Sequence, residues 1–142
     1  MKRVLILCTG NSCRSQMAEV ILNKMGQGQF QAVSAGAKPS GYVHPMALQV
    51  LREMNYPVEG LRSKSIDEFK EQTFDTVITV CDRAKEACPV WPGAEMLHWS
   101  FEDPAEAKGT DEQKLAEFRK TAVGIQQRLR LYISVNQPKH VV

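Results

Sequence analysis

The sequence predicts an α/β fold: a single domain built on a doubly wound sheet of about four parallel strands flanked by helices. Three observations point there. Apolar runs of strand length alternate with segments of helical periodicity. The first strand, helix and second strand follow one another as a βαβ unit, which makes the strands parallel. The length, 142 residues, suits one domain, a size at which about 68 to 70 per cent of the unfolded surface is buried.

Taken in order, Val4 to Cys8 reads as the first strand, a continuous apolar run of the kind buried on both faces. Met17, Ala18, Ile21, Leu22 and Met25 recur at helical spacing, giving a helix over Arg14 to Met25 stopped by Gly26. Phe30 to Ser34 is the second strand, ended by Gly36. Pro45 opens a helix with Ala47, Leu48, Leu51 and Met54 on one face, and Asn55-Tyr56-Pro57 stops it. Phe74 to Val80 is the third strand and Glu95 to Trp99 a short fourth. Thr110 and Gln113 form a capping box for a last helix whose stripe runs Leu115, Phe118, Ala122, Ile125, Leu129 and Tyr132. Residues 136–142, with Pro138, are expected to fray. Tyr42 and Trp91 fit either a recognition surface or simple packing.

Composition excludes several function classes. A net charge of +2 with scattered Lys and Arg gives no footprint for nucleic acid. Lys2-Arg3 before an apolar run imitates a secretion signal, yet the run stops at Cys8, and Ser12, Arg14 and Gln16 follow. No segment approaches the roughly 20 apolar residues of a membrane span. A cytoplasmic monomer is the expectation, in which the four cysteines are reactive or packed rather than stapled.

The chemistry concentrates in Cys8-Thr9-Gly10-Asn11-Ser12-Cys13-Arg14-Ser15. A loop between a strand end and a helix N-terminus aims backbone N–H groups and the positive end of the helix dipole at one point, a site for a tetrahedral anion. Gly10 lets the backbone come close, and Asn11 tolerates a left-handed conformation while its amide ties the loop to itself. Arg14 can grip two oxygens with its planar fork. The same field favours thiolate over thiol, so Cys8 reads as a nucleophile with a lowered pKa, and Ser15 could donate to its sulfur. Cys13 reads as a structural residue facing the core. A nucleotide P-loop is excluded because no Gly-Lys-Ser/Thr follows, and a dinucleotide fingerprint because the loop has one glycine.

Cys81 directly follows the third strand and Cys88 lies seven residues on. A short helix capped by Asp82 would set their Cα atoms about 10.5 Å apart at ~1.5 Å per residue, beyond the ~4.4 to 6.8 Å that a disulfide accepts. A bond between them therefore requires that helix to unwind. If strands one and three are neighbours, Cys8 and Cys81 are close across the sheet's end and could pair first. Zinc fits poorly, since structural pairs are usually closer in sequence and only His98 is nearby.

The Cys-x5-Arg-Ser loop directly after the first strand resembles the low-molecular-weight protein tyrosine phosphatase superfamily. Ser34-Ala35-Gly36 at the end of the second strand, His44-Pro45 opening the second helix and downstream Asp103-Pro104 extend the resemblance over most of the chain. Cys81 and Cys88, with His98-Trp99 beyond them, resemble the thioredoxin-coupled arsenate reductases built on this fold. The resemblance implies that Thr9 to Ser15 bind arsenate, with phosphate or sulfate as mimics, while Cys8 attacks arsenic. Asp103, by itself an ordinary Asp-Pro turn, becomes the general acid, with Glu102 its nearest rival. Cys81 then releases arsenite by forming a disulfide with Cys8, Cys88 resolves it, and thioredoxin restores the thiols; no tightly bound cofactor or metal is implied. Potassium-binding members hold a cation with residues matching Asn11, Glu19 and Ser34 plus an acidic residue, where this chain has Lys64. That lysine either replaces the cation or is a solvated loop residue. Two other functions share these residues: a phosphomonoester hydrolase that finishes with water instead of Cys81, and an oxyanion or redox sensor without turnover.

Overall fold

The computed structural model describes residues 1–81 and 91–136. Their order is β1 (Lys2–Leu7), α1 (Arg14–Met25), β2 (Phe30–Ala35), α2 (Pro45–Glu53), a 3₁₀ turn (Ile66–Phe69), β3 (Thr76–Thr79), β4 (Glu95–His98), a second 3₁₀ turn (Pro104–Glu106) and α3 (Asp111–Asn136). The strands form one sheet in the order β2-β1-β3-β4, and every pairing is parallel. The expected α/β architecture is therefore present. The expected helix after Asp82, the residue Cys88 and the tail beyond 136 lie outside the described residues.

The chain begins in the middle of the sheet, runs out to β2, then returns across β1 to β3. That reversal is a topological switch point, and ligands of such sheets bind in the crevice beyond the strand ends on either side of it. Here those strands are β1 and β3, aligned so that Leu7 faces Thr79. Cys8 and Cys81 thus emerge side by side. Val4 to Leu7 are fully buried, as a central parallel strand requires.

The regular strands are shorter at some ends than the apolar runs, although the ladder continues past them: Asp75 N–H donates to Arg3 O at 2.9 Å and Val80 N–H to Leu7 O at 2.9 Å. In α2 the buried face is Ala47, Val50 and Leu51, with Leu48 and Met54 half-buried. The capping box of α3 forms as read: Thr110 N–H donates to Gln113 Oε1 at 2.8 Å and Gln113 N–H to Thr110 Oγ1 at 3.2 Å. The whole expected stripe from Leu115 to Tyr132 is buried, joined by Ile133. Trp91 is core: it packs edge-on against Phe74 at 6.3 Å and donates to Gln72 O. Tyr42 stays 54 % exposed beside His44.

Candidate active site

The loop after β1 is shaped from behind. Lys38 N–H donates to Thr9 O, Ser40 N–H to Gly10 O and His44 N–H to Ser12 O, at 2.8 to 2.9 Å. Ser63 Oγ donates to Gly10 O at 3.2 Å and Gln16 Nε2 to Asn11 O at 3.0 Å. With these successive carbonyls drawn backward, the N–H groups of Gly10 to Cys13 have no protein acceptor among the described residues. Cys13 is the N-cap of α1, and the first turn carries no acidic side chain. Uncompensated donors and the helix dipole therefore converge on one anion site.

Asn11 holds the loop together, as expected of its amide. It has φ of 48° and is fully buried. Its Nδ2 donates to Ser15 Oγ at 2.8 Å and Ser34 Oγ at 2.9 Å, while its Oδ1 accepts from Gln16 Nε2 and from Lys64 N–H. Ser15 Oγ, accepting here, still has its own proton to give. The close approach expected at Gly10 belongs instead to Gly36. A Cβ on Gly10 would meet only Ser12 Oγ, at 3.7 Å, whereas one on Gly36 would stand 2.5 Å from Thr9 O and 2.8 Å from Cys8 O.

At the floor, Cys8 Sγ donates to Cys81 Sγ across 3.5 Å. Cys81 Sγ also accepts from Thr9 N–H at 3.4 Å and lies 3.5 Å from Thr9 Oγ1. The sequence predicts a lowered pKa for Cys8, and this arrangement gives the opposite direction. The hydrogen bond to Cys81 and burial push the thiol up, with the Arg14 charge opposing. A sulfur that is donating keeps its proton.

Arg14 spans the cleft. Its Nη1 donates to Phe101 O at 2.8 Å, and its Nη2 stands 3.6 Å from Asp103 Oδ2. Its Nε is buried without a hydrogen-bond partner. The Nε and Nη2 edge is the one that can grip an anion with two donors. Asp103 caps the 3₁₀ turn that Pro104 begins, Oδ1 accepting from Ala105 N–H at 3.0 Å. Cys8, Thr9, Gly10, Ser12, Cys13, Arg14, Cys81, Glu102 and Asp103 all line one cleft of about 470 Å³. Cys13 is buried in the core cluster as expected, and its sulfur also reaches this cleft, 3.5 Å from Asp103 Oδ1.

The residues matching the cation site, Asn11, Glu19 and Ser34, also meet, with Lys64 beside them. Glu19 Oε1 accepts from Ser34 N–H at 2.7 Å and Ser34 Oγ at 3.0 Å. Lys64 Nζ stands 3.3 Å from that oxygen and donates to Arg62 O at 3.0 Å. Lys64 is buried, which rules out the solvated-lysine reading. Sequence reasoning missed Gln16, Ser63 and Gly36 as shapers of the loop. Gln16 lies off the apolar stripe of α1, so the spacing gave no sign that it is fully buried.

A cysteine, an arginine fork and a carboxylate around an anion loop at a sheet's switch point define a thiol-dependent oxyanion enzyme. Residues 3–139 match the family described as low molecular weight phosphotyrosine protein phosphatase, and the chain belongs to that family. Within it, the chain is 40% identical over 132 residues to an arsenate reductase of Halalkalibacterium halodurans, covering 92% of this chain and 94% of that one. A solved arsenate reductase in the phosphate binding state superimposes with a TM-score of 0.81 at 32% identity, over 95% of this chain and 98% of the other. A thioredoxin-dependent arsenate reductase of Corynebacterium glutamicum gives 0.67 at 25% identity, over 93% of this chain and 63% of the other.

Proposed function

We propose that this chain is a thioredoxin-coupled arsenate reductase. The observation that supports it above all is the pair of sulfurs, Cys8 and Cys81, 3.5 Å apart on the floor of an anion-binding loop. A phosphatase needs only the first of them. The family match accommodates either activity, and the similarity to arsenate reductases favours reduction.

Arsenate enters against the N–H groups of Gly10 to Arg14, gripped by the Nε and Nη2 edge of Arg14. An arsenate oxygen replaces Cys81 as acceptor of the Cys8 proton, and the freed thiolate attacks arsenic. One As–O bond breaks, and the departing oxygen leaves as water with a proton from Asp103. Cys81, whose sulfur accepts from Thr9 N–H, then attacks Cys8 sulfur, its proton passing to the departing arsenite. The S–S bond forms as the S–As bond breaks, and the electron pair stays on arsenic, which leaves as arsenite. Cys88 attacks Cys81 in turn, releasing Cys8, and thioredoxin reduces the disulfide that remains. Lys64 stands in for a monovalent cation beside Glu19. Absence of a membrane-crossing helix among the described residues agrees with a cytoplasmic site of action.

The test is arsenate-dependent consumption of NADPH in the presence of thioredoxin and its reductase. Turnover is expected from the unmodified chain, and at most one turnover from Cys81→Ser or Cys88→Ser. Steady hydrolysis of a phosphomonoester by Cys81→Ser at the unmodified rate, with no NADPH consumed on adding arsenate to the unmodified chain, would identify a phosphatase instead.

A further inference from the structure

We propose that Cys13 is a positioning residue for the acid step, its side chain holding the Asp103 carboxylate over the oxyanion loop. The inference rests on the reading of Asp103 as the general acid. Cys13 occupies the N-cap of α1 yet makes no side-chain capping bond. Its sulfur is committed across the cleft, 3.5 Å from Asp103 Oδ1. Arg14 Nη1 ties the Asp103 segment to the loop through Phe101 O at 2.8 Å, but Arg14's own reach to the carboxylate is weaker: Nη2 and Asp103 Oδ2 are 3.6 Å apart, an ion-pair distance rather than a hydrogen bond. Arg14 must also present that edge to the incoming anion. The remaining polar contact of Oδ1, from Ala105 N–H, is local to the 3₁₀ turn and fixes the side chain only relative to its own segment. Cys13 is therefore the group that ties the carboxylate to the loop without competing for substrate.

Donation requires a protonated thiol. Cysteines at helix N-termini usually ionise readily, but burial and the neighbouring Asp103 charge push this one up to about 12. It remains a neutral donor through the working range, and it forms and breaks no covalent bond in the reaction.

The coupled assay tests this with Cys13→Ala, with Cys13→Val, which fills the space without a donor should alanine fail to fold, and with Cys13→Ser, which keeps a donor. Loss of one hydrogen bond to a charged group predicts kcat lower by about tenfold in the first two, with KM for arsenate within about twofold. Serine, which keeps a donor, is expected to bring back the rate. In an Asp103→Asn background, Cys13→Ala is expected to change nothing further. Equal loss in Ala, Val and Ser, full activity in Ala and Val, or an undiminished effect in the Asp103→Asn background would each overturn the role of Cys13 alone. Full activity of Asp103→Asn itself would overturn the acid assignment and the inference with it.

Discussion

On one wall of the cleft the successive carbonyls from Thr9 to Ser12 are drawn back by donors from three segments, and Asn11 is bonded on both ends of its amide. On the facing wall Asp103 stands on a short 3₁₀ turn, held by its own capping bond, by Cys13 and, at longer range, by Arg14. The contrast fits what the proposed mechanism asks of each wall. Donors that stabilise an oxyanion act best when fixed beforehand, because nothing then has to reorganise as charge develops. A group that delivers a proton late in the step needs reach, and a lightly tethered segment supplies it.

The largest expected effect breaks the rigid wall. Gly36→Ala puts a methyl group 2.5 Å from Thr9 O, and backbone cannot swing aside as a side chain can. The loop must shift, and misplacement by about 1 Å is enough for a loss on the order of 10²-fold in kcat/KM for arsenate. Phosphate binding by calorimetry is expected to weaken in parallel. Unchanged phosphate affinity would show that the loop tolerates what the rigid-wall argument forbids.

Behind that wall, replacing Lys64 with Met leaves the part-buried Glu19 beside Ser34 without its cation, a change expected to cost about 2 to 3 kcal/mol in urea unfolding. Added potassium is expected to restore part of that loss in the variant and to leave the unmodified chain unaffected. Potassium-dependent stabilisation of the unmodified chain would refute the assignment of Lys64 as the cation's replacement.

The regular elements were legible because their physics is periodic: apolar alternation, helical stripes and the Thr110–Gln113 box are all local patterns. Proximity of Cys8 to Cys81 needed only one further fact, that β1 and β3 are neighbours. The rest of the site depends on segments with no period. Residues 36 to 44 and 62 to 66 shape the loop from behind, and a bridge between Gly36 and Ser65 brings Lys64 in beside Asn11. Cys13 sits at a cap, where helical spacing does not say which way a side chain points. The direction of the Cys8 shift depends on which sulfur donates, and no sequence pattern sets that.

The thiols also make stability depend on pH in a definite direction. Cys8 and Cys13 are both pushed above the usual thiol range in the folded chain, so above pH ~9 the unfolded chain gives up protons that the folded chain retains. Stability is fully present below that pH and falls as pH rises, by up to roughly 1.4 kcal/mol per pH unit for each thiol. Denaturation midpoints from pH 8 to 10.5 check the sign, and Cys13→Val is expected to flatten the slope. A midpoint that rises over this range would contradict the protonated thiols on which the Cys13 contact depends.

The smallest effect tests the facing wall from its far side. Gly124 lies within α3 facing Phe101, whose carbonyl anchors Arg14, and an added Cβ would meet Phe101 Cε1 at 3.8 Å, an ordinary contact. Gly124→Ala is therefore expected to stabilise the chain by about 0.5 to 1 kcal/mol through helix propensity alone. The same methyl group steadies the segment that carries Asp103. If that segment needs freedom to deliver its proton, the melting temperature rises while kcat falls and KM stays put. If both rise together, the facing wall gains from stiffness as the anion loop does, and the contrast between them lies in how they are held rather than in what the reaction asks of them.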